Sequence, residues 1–340
     1  MKKSHSILLI LTISLTLTGY GQSAQEYYNR GDAKVNIKDN RGAIADYTKA
    51  IGISPKYANA FFSRGTAKSN IKDLQGAIAD YIKAIQFNPK FAKAFFNRAL
   101  CKVDLQDYNS AIADFTKAIE IDPKWAEAYF NRGATKADIN DFKGEILDYN
   151  KAIEINPKFA MAFSNRGAAK SNLQDISGAL SDYTKAIEIN PKYPEAYYNR
   201  GRLLVTLKDY IGAINDYTKA IEIDPMNAKA YVNRGSVKSF NQDHKGAIID
   251  FNNAIQINPN DPMPFFNRGC AKGILKDYNG AIIDYTKAIS MNPSWVANLY
   301  FNRGLAEIEL GQKDSGCLDL YKAGELGNKT ALVAVIKYCK

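Results

Sequence analysis

The triplet Asn-Arg-Gly, or a near variant, returns nine times along this 340-residue chain. Its arginine falls at Arg30, Arg64, Arg98, Arg132, Arg166, Arg200, Arg234, Arg268 and Arg303. Seven of the eight intervals are 34 residues and the last is 35. A fixed period of that length marks a stacked array, because one such unit cannot bury its own apolar face. The working surface of an array lies along its length, which points to binding rather than catalysis.

Counted from each arginine, the other recurrent residues take fixed places. An aromatic stands three before it, from Tyr27 to Tyr300, and Gly follows it in every unit except at Ala99. Ala stands thirteen after it in seven units, with Glu145 and Gly316 the exceptions. Tyr or Phe stands at seventeen in eight units, and Ala at twenty in all nine. Small residues let two helices approach and the aromatics fill the space beside them. Each Pro at twenty-five follows Ser, Asn or Asp, a pair that predicts an N-cap and first turn for the next unit. An Asp at nine, from Asp39 to Asp277, is placed to cap the second helix of each unit. The unit is therefore helix–turn–helix and the chain all-α.

With these residues in place, the chain resembles the tetratricopeptide repeat family over residues 24–329, about nine-tenths of its length. The resemblance implies a right-handed superhelical solenoid of nine 34-residue repeats, closed by a C-terminal capping helix over residues 328–340. Two positions depart from the family pattern. Arg replaces the commoner apolar residue, and Lys four places later (Lys34, Lys68, Lys102, Lys136, Lys170, Lys238, Lys272) replaces an aromatic. Each arginine is matched by an Asp sixteen residues on, Asp46 through Asp284 and Asp319, so partly buried ion pairs are expected and a catalytic arginine is not.

Residues 1–21 read as a secretory signal: Lys2 and Lys3 precede an apolar run at 7–17, followed by Gly19-Tyr20-Gly21. That run is short of the ~20 residues needed to span a bilayer. Tyr20 stands where a bacterial lipoprotein would carry cysteine. The mature chain is expected to be exported, periplasmic or secreted. Cys317 and Cys339 lie 22 residues apart. They pair in an oxidising compartment, adding roughly 3 kcal/mol, or remain two buried thiols; the sequence leaves both open. Cys101 and Cys270 lie five repeats apart and are not expected to meet. A stripe of Leu332, Val335 and Ile336 is expected to cover the last repeat.

At about 100° per residue, offsets −3, 0, +1 and +4 of the first helix cluster on a packed side. Offsets −5, −2, −1, +2, +5 and +6 fall on the opposite arc. In tetratricopeptide arrays that arc lines the concave groove where ligands commonly bind. Offsets −5 and +2 change freely between repeats, so packing does not dictate them. The groove recurs with aromatics at −2 (Tyr28, Phe62, Phe96, Phe130, Tyr198, Phe266, Phe301) and with Asn at −1 (Asn29, Asn97, Asn131, Asn165, Asn199, Asn233, Asn267, Asn302). One reading is a ladder of amides able to donate to and accept from an extended peptide, resembling the asparagine ladder of O-linked N-acetylglucosamine transferase. The other is that the amides bond neighbouring helices and the rings pack between repeats. The clamp that holds chaperone C-termini in this family needs Lys at −2 and Asn at +2, places filled here by aromatics and by small or variable residues.

Loss of Lys2 and Lys3 with the signal takes the formal charge from +10 to +8. The groove offsets nevertheless carry acids at Asp32, Asp104, Glu127, Asp138, Glu195 and Glu309 against bases at Lys93, Arg202 and Lys229. The lysines sit on the second helices, Lys49 to Lys322, the reverse of a phosphate-binding footprint. Val232, Phe240, Met263, Ile274, Leu305 and Ile308 make the groove's far end apolar. One histidine of the mature chain, His244, leaves little for a relay or metal cluster. A non-enzymatic scaffold is therefore expected, holding an extended or helical segment of another protein, with no cofactor, metal, nucleic acid or membrane span. A glycan or envelope-polymer binder and a self-assembling spacer are the alternatives; the oligomeric state is not readable.

Overall fold

The computed structural model describes residues 22–339; the expected signal at residues 1–21 lies outside them. Among the described residues there are nineteen α-helices and no strand. They fall in two compact units that divide between Lys124 and Trp125. The first holds α1 (Ala24–Asn36), α2 (Asn40–Ile53), α3 (Ala58–Asn70), α4 (Leu74–Phe87), α5 (Ala92–Asp104) and α6 (Tyr108–Ile121). The second opens with α7 (Ala126–Asp138), α8 (Phe142–Ile155), α9 (Ala160–Asn172), α10 (Ile176–Ile189), α11 (Pro194–Thr206) and α12 (Tyr210–Ile223). It continues through α13 (Ala228–Phe240), α14 (His244–Ile257), α15 (Pro262–Ile274), α16 (Tyr278–Ile289), α17 (Val296–Glu309), α18 (Lys313–Glu325) and α19 (Lys329–Tyr338). The helices up to α18 are paired as the repeat dictates, so the all-α, tandem helix–turn–helix expectation holds.

Each turn inside a repeat is built the same way. Asp39, Asp73, Asp141, Asp175, Asp209, Asp243 and Asp277 each accept a bond from the backbone N–H three residues on, capping the second helix. The residue before the capping Asp is forced left-handed: Lys38, Lys72, Gln106, Asn140, Gln174, Lys208, Gln242 and Lys276 all have φ near 60°. Only the ninth repeat places a glycine there, Gly311 at φ 79°.

The connection between repeats differs from the sequence expectation. Ser54 and its equivalents as far as Asn258 do not cap the next helix; they are the C-caps of the preceding one. Asn88, Asp122, Asn156 and Asn190 turn their side chains onto the backbone N–H two residues later, a local Asx turn that competes with capping. The following helix begins past the proline, behind an aromatic such as Tyr57, Phe91 or Phe159 that makes no cap bond.

The core of each repeat is alanine set against one ring. Ala43, Ala77, Ala179, Ala213, Ala247 and Ala281 are fully buried, and so are Ala50, Ala84, Ala186 and Ala220. Tyr47, Tyr81, Tyr149, Tyr183, Tyr217, Phe251 and Tyr285 are almost fully buried beside them. The glycine after the arginine exists because a Cβ there would strike this ring; at Gly31 it would stand 2.5 Å from Tyr47 Cε1.

The arginines form one repeated ion-pair motif. Arg166 Nε and Nη2 donate to the two carboxylate oxygens of Asp182 at 2.8 and 2.6 Å, and Lys170 Nζ reaches Oδ2 at 2.8 Å. The guanidinium also lies 5.3 Å from the centre of the Phe163 ring, and Nη1 donates to Asn150 of the preceding repeat. All nine arginines bind their Asp in this fashion. A buried carboxylate demands such a partner, because an unpaired one costs several kcal/mol. Two repeats lack the lysine: Leu204 stands there in the sixth and Glu307 in the ninth.

The last helix packs on α18 by a different face from that expected. Ala331 and Ala334 are the buried residues of α19, whereas Leu332 and Ile336 of the expected stripe are 55% and 60% exposed and Val335 is half-buried. Small residues at the buried positions let α19 approach α18 closely, and of the expected stripe Leu332 lies beside Gly324 while staying largely exposed. A disulfide joins Cys317 on α18 to Cys339 at the end of α19, across a Cα–Cα distance of 5.6 Å. Cys101 and Cys270 are free thiols.

Candidate binding groove

Because the arginine, the residue after it and the +4 residue take the packed side of each first helix, offsets −1, +2, +5 and +6 are left to face outward. In the second unit those offsets from three consecutive repeats line one concavity of about 360 Å³. Ala168, Ser171 and Asn172 come from α9; Asn199, Arg202, Val205 and Thr206 from α11; Asn233 and Ser236 from α13. The hydroxyl ends of Tyr183 and Tyr217 form its floor. No carboxylate lines it. Burial pushes the Tyr183 phenol up to about 12, opposed by the Arg202 charge.

A second concavity of about 510 Å³ lies further along the same unit. Cys270, Ile274, Tyr278, Asn302, Leu305, Glu309 and Tyr338 line it. Its walls are more apolar, and Ile274 is 59% exposed. Two of the residues from which an apolar far end was expected, Ile274 and Leu305, therefore share one pocket, with Tyr338 of α19 added to them. Phe240 instead packs against Tyr210, with ring centroids 4.8 Å apart and the planes tilted by 51°.

The asparagines divide. In the first unit Asn97 Nδ2 reaches Thr66 Oγ1 of the preceding repeat at 3.5 Å, while exposed Asn29 accepts from Gln25 on its own helix. In the second, Asn165 donates to the Tyr149 hydroxyl, Asn233 to that of Tyr198 and Asn267 to Ser236 Oγ, each across a repeat junction. Asn131 and Asn302 fold back onto backbone oxygens four residues earlier. Asn199 makes no hydrogen bond with any described residue and lines the polar pocket. Four of the eight asparagines thus bond across a repeat junction, three bond within their own helix, and Asn199 is free on the groove.

The −2 aromatics are packing residues first. Tyr28 lies between Tyr47 and Tyr57 at 5.7 and 5.2 Å, Phe130 between Tyr149 and Phe159 at 5.7 and 4.9 Å, and Phe266 between Tyr285 and Trp295 at 6.1 and 5.3 Å. Phe96 meets Phe115 edge-on and Tyr198 meets Tyr217 at 5.9 Å. Phe301 is half-buried. Of the two readings that the sequence left open, these contacts describe rings bridging successive helices.

Sequence reasoning missed the +17 tyrosines, treated as filling alone. Their hydroxyls reach the groove floor: Tyr47 donates to Asp32 at 2.6 Å, Tyr81 to Thr66 at 3.2 Å, and Tyr285 to Cys270 Sγ at 3.5 Å. Every one of those partners sits at offset +2. The free variation of that offset was the signal, since it decides whether the phenol is satisfied from its own repeat.

Two buried carboxyls lack a partner on one oxygen, Glu145 Oε2 and Glu307 Oε2. Burial, then Asp141 and Asp138, pushes Glu145 up to about 7. Glu307 is also raised, by burial and then by Asp319. Both lie on the packed side. No group of His, Cys, Asp and Glu among the described residues is arranged to hold a metal ion, and none of their helices is long and apolar enough to cross a membrane.

Family models described as tetratricopeptide repeat match residues 24–57, 58–91, 92–124, 126–159, 194–227, 228–261 and 265–294, and one described as TPR repeat matches residues 172–208. No curated protein matches the chain. Among solved structures, a tetratricopeptide repeat protein from Parabacteroides merdae is 23% identical, with a TM-score of 0.52 over 73% of this chain and 98% of that one. The C-terminal part of a repeat-containing protein from Cytophaga hutchinsonii is 17% identical, with a TM-score of 0.57 over 71% and 98%. PilF of Pseudomonas aeruginosa is 17% identical, with a TM-score of 0.55 over 61% and 94%. At these identities the likeness is one of fold.

Proposed function

Since the chain belongs to the tetratricopeptide repeat family, we propose that it is a non-enzymatic scaffold whose groove holds an extended or helical segment of another protein. The supporting observation is the polar concavity in the second unit, where the freely varying offset +2 of α9, α11 and α13 stands beside the recurrent Asn at −1. A binder needs shape and donors on a rigid frame, and the frame is built from residues that do not vary. Asn199, Asn233 and Arg202 supply donors there, while Ile274 and Leu305 offer an apolar seat further along. The other asparagines and aromatics named above would act through the frame, setting where these groups stand.

The same reading takes the chain to be exported, to the periplasm or beyond. The Cys317–Cys339 disulfide supports it, because such bonds persist in oxidising compartments.

Photocrosslinking tests the proposal. A photoreactive residue is placed at position 168 in the groove or at 185 on an outer helix, and the chain is exposed to the native exported fraction. Protein adducts from 168 and not 185 are expected. Equal adducts from both would move binding off the groove, and carbohydrate adducts alone would replace the protein partner with a glycan.

A further inference from the structure

We infer that the pocket between α9, α11 and α13 is an anion site, and that the segment held in the groove presents a carboxylate to Arg202, Asn199 and the Tyr183 hydroxyl. The inference rests on the groove reading and gives its partner a chemistry.

Arg202 is set apart from the repeat arginines. Each of those is committed to an Asp, whereas Arg202 forms no ion pair with any described residue, and the bond at its position is accepted by its backbone oxygen from Thr206. It lies on the open arc of α11, exposed, in a pocket without a single acid. Elsewhere the groove offsets carry more acids than bases, so a lone guanidinium makes this stretch locally positive.

Tyr183 supplies an independent observation. The residue is 3% exposed, yet its hydroxyl has no hydrogen-bond partner among the described residues and opens on the pocket. In the first, second, fourth and eighth repeats the equivalent phenol is bonded, to Asp32, Thr66 or Cys270 at offset +2, or from Asn165 of the following repeat. At the fifth repeat both routes fail: Ala168 stands at +2, and Asn199 of the next repeat makes no bond. The hydroxyl oxygen is not sealed in the interior, so it is free to donate to a ligand seated in the pocket.

The three donors differ in kind but share a target. A guanidinium, a phenolic O–H and an amide N–H all donate, and the pocket holds no competing carboxylate. Charge-assisted bonds of this sort are roughly twice as strong as neutral ones. A peptide carboxylate, from an Asp or Glu side chain or from a free C-terminus, matches the set. This constellation differs from the Lys and Asn clamp described above: its cation is Arg202 at +2, where the clamp has Asn, and its other donors stand at −1 and at +17 of the preceding repeat.

Selection from a displayed random-peptide library tests it, using the full chain as wild type and as Arg202→Glu in parallel. Wild type should enrich peptides with Asp or Glu at one fixed position, and Arg202→Glu should lose that preference. An enriched peptide made synthetically should bind Arg202→Gln roughly 10- to 100-fold more weakly and Tyr183→Phe roughly 3- to 10-fold more weakly, with thermal midpoints unchanged. Loss of affinity on amidating the peptide's C-terminus would assign the terminal carboxylate, and retention the side chain; either supports the site. Enrichment without an acidic position, or the same peptides from Arg202→Glu, would overturn the anion site while leaving the groove. No enrichment by wild type would take down the groove reading and the anion site together.

Discussion

Arg200 and Arg202 stand two residues apart on α11 and serve opposite faces of it. Arg200 closes on Asp216 through two bonds of 2.8 Å, donates to Thr184 of the preceding repeat and lies 5.9 Å from the centre of the Tyr197 ring. Arg202 faces the groove and meets no acid. The first belongs to a motif repeated nine times because a buried Asp demands it; the second occurs once, at an offset that elsewhere holds Asp32, Thr66, Leu100, Ala134, Ala168, Ser236, Cys270 and Leu305. In such a chain the place in the repeat, rather than the residue type, decides whether a side chain stabilises the array or is available to a partner.

The largest expected effect breaks the packed face. Arg200→Gln should destabilise by about 3–5 kcal/mol, the cost of leaving a buried carboxylate uncompensated. Arg166→Gln should cost less, because Asp182 keeps Lys170 at 2.8 Å while the sixth repeat has Leu204 in place of that lysine. Arrays can unfold in parts, so hydrogen exchange over α11 and α12 is the local readout beside the thermal midpoint. Equal losses at the two arginines would show that the lysine contributes nothing to the motif.

Glu145 is the counter-case, a departure on the packed face that costs stability. It occupies a place where seven repeats have Ala, is 3% exposed, and leaves Oε2 without a partner. Burial, with Asp141 and Asp138 adding to it, holds its folded carboxyl near pH 7, above the ordinary 4.5. A raised carboxyl penalises the folded state only when it must ionise. The penalty is absent below pH 4.5, grows between 4.5 and 7, and is complete above 7. Glu145→Ala should therefore stabilise the chain by about 2–3 kcal/mol at pH 8, the gain shrinking as pH falls to 4.5. Unfolding of both proteins across that range checks it; a difference that does not move with pH would remove the titration argument.

These contrasts also mark how far the sequence could be read. The period, the paired helices, the Asp caps and the Arg–Asp pairs follow from residues that recur at fixed offsets, and recurrence averages away local accidents. The Asn-Pro junction was misjudged because an Asx side chain can cap a helix or turn onto its own backbone, and a residue pattern does not separate the two. The stripe on α19 was misjudged because apolarity was weighed above size: α19 buries Ala331 and Ala334, while Leu332 rests beside Gly324 and stays 55% exposed. The groove arc emerged from helical periodicity, but not its pockets. Those depend on one-off combinations such as Ala168 with Arg202, which come from different helices and acquire meaning only when the Tyr183 hydroxyl is seen between them.

The smallest expected effect is the one that sharpens the pair. Arg202→Gln should change stability by no more than about 0.5 kcal/mol, as exposed substitutions away from buried networks do. It leaves no buried carboxylate behind, and Thr66 and Ser236 show that the repeat accepts short polar residues at this offset. Because Arg200 and Arg202 share no partner, the double variant Arg200→Gln/Arg202→Gln should equal the sum of the singles within about 0.5 kcal/mol. A coupling above roughly 1 kcal/mol in that cycle would mean that Arg202 shares the packed network of Arg200. The guanidinium would then belong to the frame, and the pocket would lose its one cation.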